Sequence, residues 1–338
     1  MAKEDLEPAE FDDPRRLWQK YKNSGYKAYN ALFGQMGRAL ISNVPSDSIE
    51  FRFDIDKMQL QDRFALPLEL ITLVANDSHD GFLCNLRPMA RRVLDIKGRP
   101  ANGVVPPHIL FVNAGAAKGG FSILGEEKME RRTLPSIQDS TDDQRRRLED
   151  LSQQGLCTLE ELTIESFNAS CDAQGAVKAR SFRDALERRL RRPMPGDRDI
   201  DILHFAGHGI SQVKSETRLI LPGNPPRPGA GQQATDADLL EVKELAEWLP
   251  VSIEFVFLAA CQTASISSAE HLHLAKSCSV VGFRWKVVAK RIPEFVDGFY
   301  GAYLRQPRSV ASAYRAACEK ARLPEDPNYV SAVALAAD

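Results

Sequence analysis

The sequence predicts an α/β protein built on a mostly parallel six-stranded sheet between helices, and three observations carry that expectation. Five apolar runs rich in β-branched and aromatic residues recur along the chain: "HILFVNA" (108–114), "LEELTIESF" (159–167), "IDILHFAG" (200–207), "IEFVFLAA" (253–260) and "SVVGFRW" (279–285). Strands covered on both faces read this way, because neither face has to meet water. Helical periodicity fills the intervals, at about 141–154, 180–192, 236–249, 268–276, 293–305 and 309–322. Alternating strands and helices bury their apolar surfaces best as a parallel sheet between two helical layers. The late run "YVSAVALAA" supplies a sixth strand.

The preceding segments read as an N-terminal helical and β extension. Leu17, Tyr21, Tyr29, Leu32, Phe33, Met36 and Leu40 recur at helical spacing, as in one or two amphipathic helices packed on something larger. "IEFRFDID" alternates with period two like a half-buried strand, and "FALPLELITLV" with "GFLCNLRPMARRVL" predicts a hairpin or short helix leading into a basic strand. "KGRPANGVVPP" (97–107) is the clearest linker-like segment. The expected division is therefore 1–107, then a core over 108–338. Between strand and helix, "LPGNPPRPGAGQQATDAD" (221–238) is a loop of a length more often functional than incidental.

Composition excludes several classes. A 43% hydrophobic content over 338 residues supports a large core, and a formal net charge of −2 gives no whole-protein attraction to nucleic acid or to an anionic membrane. No apolar run reaches the length of a membrane span, and the acidic start "MAKEDLEPAEFDDPRR" lacks the apolar centre of a secretion signal, so a cytoplasmic protein is expected. The six cysteines, at 84, 157, 171, 261, 278 and 318, show no CxxC spacing and point neither to zinc nor to a disulfide framework.

The chemistry is expected at two strand ends. In an open α/β sheet, ligands collect at the carboxyl ends of the strands, where His208 and Cys261 both emerge. A thiol needs a neighbouring base to become a reactive thiolate, and an imidazole is the usual supplier. Taken singly, a cysteine after an apolar strand reads as a small core residue and a histidine beside glycine as structural. Their joint occurrence at adjacent strand ends favours a Cys-His dyad. Gly207 and Gly209 flank His208 and would let a substrate backbone approach closely; the N–H groups of Gly209 and Cys261 are the expected oxyanion donors. His204 falls inside its strand and is expected to be buried and hydrogen-bonded. His271 and His273, two apart on a helix, point away from each other and are not expected to share a metal. Cys278 and Cys318 read as core thiols.

"HFAGHG", then "LAACQTA" about fifty residues later, then "VVGFRWKV" and a helix pair ending "SVASAYRAACEKAR", together resemble the CHAT domain, a caspase-like family. In the first half, "LFGQMGRALIS", "IDKMQLQDRFALPLELI", "GFLCNLRPMARR" and "PPHILFVNA" resemble in order the elements with which such domains begin, so the similarity runs over about 14–338 and the chain reads as one continuous domain. The resemblance implies a caspase-hemoglobinase fold and cysteine endopeptidase chemistry, with His208 as general base and acid, Cys261 as nucleophile, and neither a metal nor an organic cofactor. Ala259 occupies the position two before the nucleophile, near the base of the P1 pocket in caspase-like enzymes, and offers no charge or hydrogen bond. Either P1 is uncharged or specificity is set elsewhere, with Arg284 and Trp285 as candidates.

The functional expectation is cleavage of specific protein targets. Because an unregulated protease is harmful and the sequence carries no repeat or nucleotide-binding motif, a regulatory protein partner in a separate chain is expected. Family analogy points to a bacterial defence or cell-death setting, CRISPR- or cyclic-nucleotide-linked. The alternative is a catalytically silent interaction module docking partners through the region of Trp18 and Tyr21. A nucleotide-binding hydrolase is disfavoured, since "GNPPRPGAG" and "NAGAAKGG" match neither GxGxxG nor GxxxxGK[ST], and no GxSxG is present.

Overall fold

The computed structural model describes residues 23–31, 33–34, 51–54, 71, 84, 88–92, 105–115, 135–210, 217–222, 238–260, 263, 268–283, 291–305, 309–321 and 332–337. Eleven strands are assigned among these residues, eight of them in one sheet. In chain order that sheet contains β1 (Phe51–Asp54), β2 (Met89–Arg92), β3 (His108–Asn113), β4 (Thr158–Leu162), β5 (Ile202–Ala206), β9 (Phe255–Ala259), β10 (Ser279–Phe283) and β11 (Ala332–Leu335), in the spatial order β1-β2-β11-β10-β9-β5-β3-β4. Every neighbouring pair is parallel except β10 with β11. The six strands expected from the sequence form β4-β3-β5-β9-β10-β11, and β1 and β2 extend that sheet beyond β11.

Period-two alternation within each strand feeds two apolar layers. Ile109, Phe111, Ile202, Phe255, Phe257 and Val281 join one cluster; Leu110, Val112, Leu203, Phe205, Val256 and Val280 join the other. The first layer is covered by α1 (Pro135–Gln153), α6 (Ile292–Tyr303) and α7 (Val310–Ala321), through Leu148, Phe295, Phe299 and Tyr314 among others. The second is covered by α2 (Ile164–Gln174), α3 (Phe182–Arg191), α4 (Val242–Trp248) and α5 (Ser268–Lys276), through Phe167, Leu186, Leu245 and Leu272. All five residues of β5, β9 and β10 are buried, which is why their sequences carry no polar alternation.

Two boundaries differ from the sequence reading. The run 159–167 is not one strand: β4 stops at Leu162, and Thr163 caps α2, its side chain accepting from Ser166 N–H while Ser166 Oγ accepts from Thr163 N–H at 3.0 Å. Likewise residues 238–241 are not the first turn of a helix but strand β8 (Asp238–Glu241), paired antiparallel with β7 (Arg218–Leu221), which pairs in turn with β6 (His208–Ile210). These three make a second, smaller sheet. Residues 23–31 are helical, as the N-terminal periodicity predicts; Leu17, Trp18, Tyr21, Leu32, Met36, Leu40, the 97–104 part of the linker-like segment and the 223–237 part of the long loop lie outside the described residues.

Helices α6 and α7 approach so closely that one position is restricted to glycine. A Cβ on Gly298 would sit 2.8 Å from both Ala316 O and Ala317 Cα, which are backbone atoms and cannot rotate away. Gly298→Ala is therefore expected to destabilise the protein by about 1–3 kcal/mol in urea unfolding, overpacking outweighing alanine's better helix propensity of up to about 1 kcal/mol.

Candidate active site

The strand order reverses between β3 and β5: after β3 the chain first goes to β4 on one side, then to β5 on the other, and continues outward to β9 and β10. Such a switch point opens a crevice at the carboxyl ends of the strands. The described backbone holds three of those ends level. Ala114 N–H donates to Ala206 O at 2.8 Å, and Gly207 N–H donates to Ala259 O at 3.2 Å, continuing the β3-β5-β9 ladders past their last paired residues.

His208 leaves this rim directly. It is two residues past Ala206, opens β6 opposite Ile220, and is half-buried, so the chain passes at this histidine from the main sheet into the small one. Burial holds the pKa of its imidazole below the ordinary histidine value, which favours the neutral form, the form able to accept a proton. Gly209, also half-buried, stands opposite Leu219. At Gly207 a Cβ would come within 2.8 Å of Ala114 Cβ, so the packing of β5 against the end of β3 calls for glycine there. Ala259, 1% exposed, ends β9 in register with Ala206. Cys261, Arg284 and Trp285 lie outside the described residues.

Thr263 was missed by sequence reasoning. It is fully buried, and its hydroxyl lies 2.9 Å from Ala260 O and 3.1 Å from Leu258 O while accepting from Phe283 N–H at 3.1 Å. The available signal was a hydroxyl residue two positions after Cys261, at the point where a strand has to release its ladder hydrogen bonds.

The other described histidines have different surroundings, and His79 lies outside the described residues. His204 is completely buried in β5, its Nδ1 3.1 Å from Tyr300 Oη and its Nε2 3.0 Å from Gln144 Oε1, which agrees with its expected place inside the strand. His271 is exposed while His273 is buried against Cys278 O at 2.8 Å, so the two do point apart. His108 lies at the other end of the sheet, its Nε2 3.0 Å from Glu160 Oε2. Burial alone would raise the Glu160 carboxyl, but hydrogen bonds and charge from His108 and Arg189 outweigh it and bring the pKa down to about 2. A cavity of about 340 Å³ between Arg189, Arg198 and Trp248 also belongs to that opposite end, where the chain enters β5 and β9. The five described cysteines are reduced and buried, with Cys157 raised to about 11 and Cys278 to about 12 by burial. Among the described residues no helix is long and apolar enough to cross a membrane.

The sheet order, its antiparallel β11 and the rim beside the switch point make this a doubly wound α/β protein, the class that the sequence predicts. Within that class the chain belongs to the CHAT domain family, whose model matches residues 128–331, well over half of the 338. The matched span begins later than residue 14, where the resemblance in sequence starts. Among solved structures the chain is similar to the Arg-specific cysteine proteinase gingipain R, with 11% identity and a TM-score of 0.45, over 93% of this chain and 67% of that one. No curated protein matches.

Proposed function

We propose that this chain is a cysteine endopeptidase in which His208 and Cys261 form a catalytic dyad. The register of β5 with β9 is the observation that carries the reading. Ala206 pairs with Ala259, and His208 and Cys261 each follow their member of that pair by two residues. Adjacent strands lie about 4.8 Å apart, and two residues reach at most about 7 Å, so chain connectivity permits the two side chains to meet at one stretch of rim. His208, neutral through burial, takes the thiol proton; Sγ attacks the scissile carbonyl; His208 then returns the proton to the leaving amine. Gly209 N–H and Cys261 N–H are the oxyanion donors in this scheme.

A buried alanine at 259 supports an uncharged P1 residue, unless Arg284 or Trp285 supplies the contact. The partners that fit are a specific protein target and a regulatory protein in a separate chain. Membership of the CHAT family supports a bacterial defence or cell-death role, released by a CRISPR- or cyclic-nucleotide-linked signal, as an analogy of family.

The test uses the thiols. Cys84, Cys157, Cys171, Cys278 and Cys318 are all 2% exposed or less. Brief native treatment with iodoacetamide, followed by peptide mass spectrometry, is expected to label Cys261 at least about tenfold faster than any of them, and Ala in place of His208 is expected to slow the labelling of Cys261 itself by about tenfold. Equal labelling with and without His208 would dissolve the dyad.

A further inference from the structure

Parallel strands that end side by side leave their last amides and carbonyls without ladder partners, and β9 and β10 end so. Their register runs from Ser279 opposite Phe255 to Val281 opposite Phe257. Phe283, two residues further and 1% exposed, cannot send its N–H to water. One side chain resolves this. Thr263 Oγ1 accepts from Phe283 N–H at 3.1 Å, and its proton is shared between Ala260 O at 2.9 Å and Leu258 O at 3.1 Å. A hydroxyl has one proton and two lone pairs, so this oxygen ties the end of β9 to the end of β10 and at the same time joins residue 263 back to residue 260.

We propose that Thr263 is a positioning residue for the nucleophile: the bond from its hydroxyl to Ala260 O closes the four-residue segment containing Cys261, and the bond from Phe283 N–H fixes that closed segment against the strand from which Arg284 and Trp285 continue. The pin itself consists only of Leu258, Ala260, Thr263 and Phe283, all described. The inference rests on the reading of Cys261 as nucleophile. Valine would keep the shape of the side chain and lose the hydroxyl; serine would keep the hydroxyl and lose a methyl.

The experiment compares T263V and T263S with the parent chain, reading two things on each folded variant: the pH profile of Cys261 alkylation by iodoacetamide, in which Sγ displaces iodide, and the kcat and KM for a cleaved peptide. T263V is expected to slow alkylation and lower kcat by roughly 10- to 100-fold, with KM changed less than about threefold, because misplacement by about 1 Å is costly for a reacting group. T263S is expected to stay within about threefold on both readings. Where T263V is not recovered folded, T263A removes the same hydroxyl without pressing a branched apolar group on two carbonyls and is read the same way. Unchanged alkylation in a folded variant without the hydroxyl, a loss confined to KM, or equal impairment of T263S would each overturn the proposal; so would failure of both hydroxyl-less variants to fold, which would make the pin structural only. Alkylation needs no peptide substrate. If Cys261→Ala leaves hydrolysis intact the peptidase reading fails, while the effect of Thr263 on thiol reactivity is still measured.

Discussion

Cys261→Ala is expected to lower kcat/KM for a cleaved target by at least about 10³-fold, and His208→Ala by a similar factor, with the double substitution little worse than either. Non-additivity is the informative part. Two groups that pass one proton act as a unit, so removing the second after the first removes nothing further. A protein encoded beside this one is the first substrate to assay, with a pair of defined fragments as the expected product. The acid limb of the rate profile is fixed by His208: as the pH falls through its pKa the imidazole becomes protonated and cannot accept the thiol proton. Since burial lowers that pKa, the limb lies on the acid side of the ordinary histidine value of about 6.5. Additive losses, or a limb displaced to the alkaline side, would contradict the general-base role given to His208.

Much of this fold is legible in the sequence because the central strands have no solvent face. "ILHFA", "FVFLA" and "SVVGF" can be continuous apolar runs only where helices cover both sides, and the helical periods between them supply that cover. The small sheet escaped notice for a complementary reason. Only Gly207 separates the end of β5 from the start of β6, so "HFAGHGI" reads as a single run with its punctuation at the glycines, and β8 runs without a break into α4. Neither boundary carries a loop. The break between Leu162 and Ile164 had a signal, a threonine followed three residues later by a serine, but serine is a weaker partner at that position than the glutamate or glutamine of the usual capping box. At the candidate site, the two residue types proposed to react and their spacing are visible in the chain, whereas their support is not. That Ala206 stands opposite Ala259, that Gly207 is held by Ala114, and that Thr263 receives Phe283 N–H are facts of register, and register is set by packing across strands distant in sequence.

The largest effect on stability is expected from His204 as the pH falls. Its ring is stacked between Phe111, with centroids 5.1 Å apart, and Phe257, at 4.9 Å. Gln144 Oε1 can only accept, so Nε2 carries the proton and Nδ1 accepts from Tyr300 Oη–H; the neutral imidazole is satisfied on both sides. None of the groups bonded to it or stacked on it is acidic, and burial pulls its pKa down to about 3. The sign follows directly. Above about pH 6.5 the ring is neutral in folded and unfolded chains alike and contributes no slope. Between about 6.5 and 3 the unfolded chain binds a proton that the folded chain refuses, so stability falls as pH falls, by about 1.4 kcal/mol per unit and on the order of 4 kcal/mol across the window. Phenylalanine at this position keeps the stacking but strands Gln144 Oε1 and Tyr300 Oη, costing about 2–4 kcal/mol at pH 8. H204F is thus expected to start less stable, to lack the histidine's share of the acid slope, and to approach the parent chain near pH 4–5 in urea unfolding. Parallel profiles for the two proteins from pH 8 to pH 4 would show that this ring does not titrate as its surroundings require.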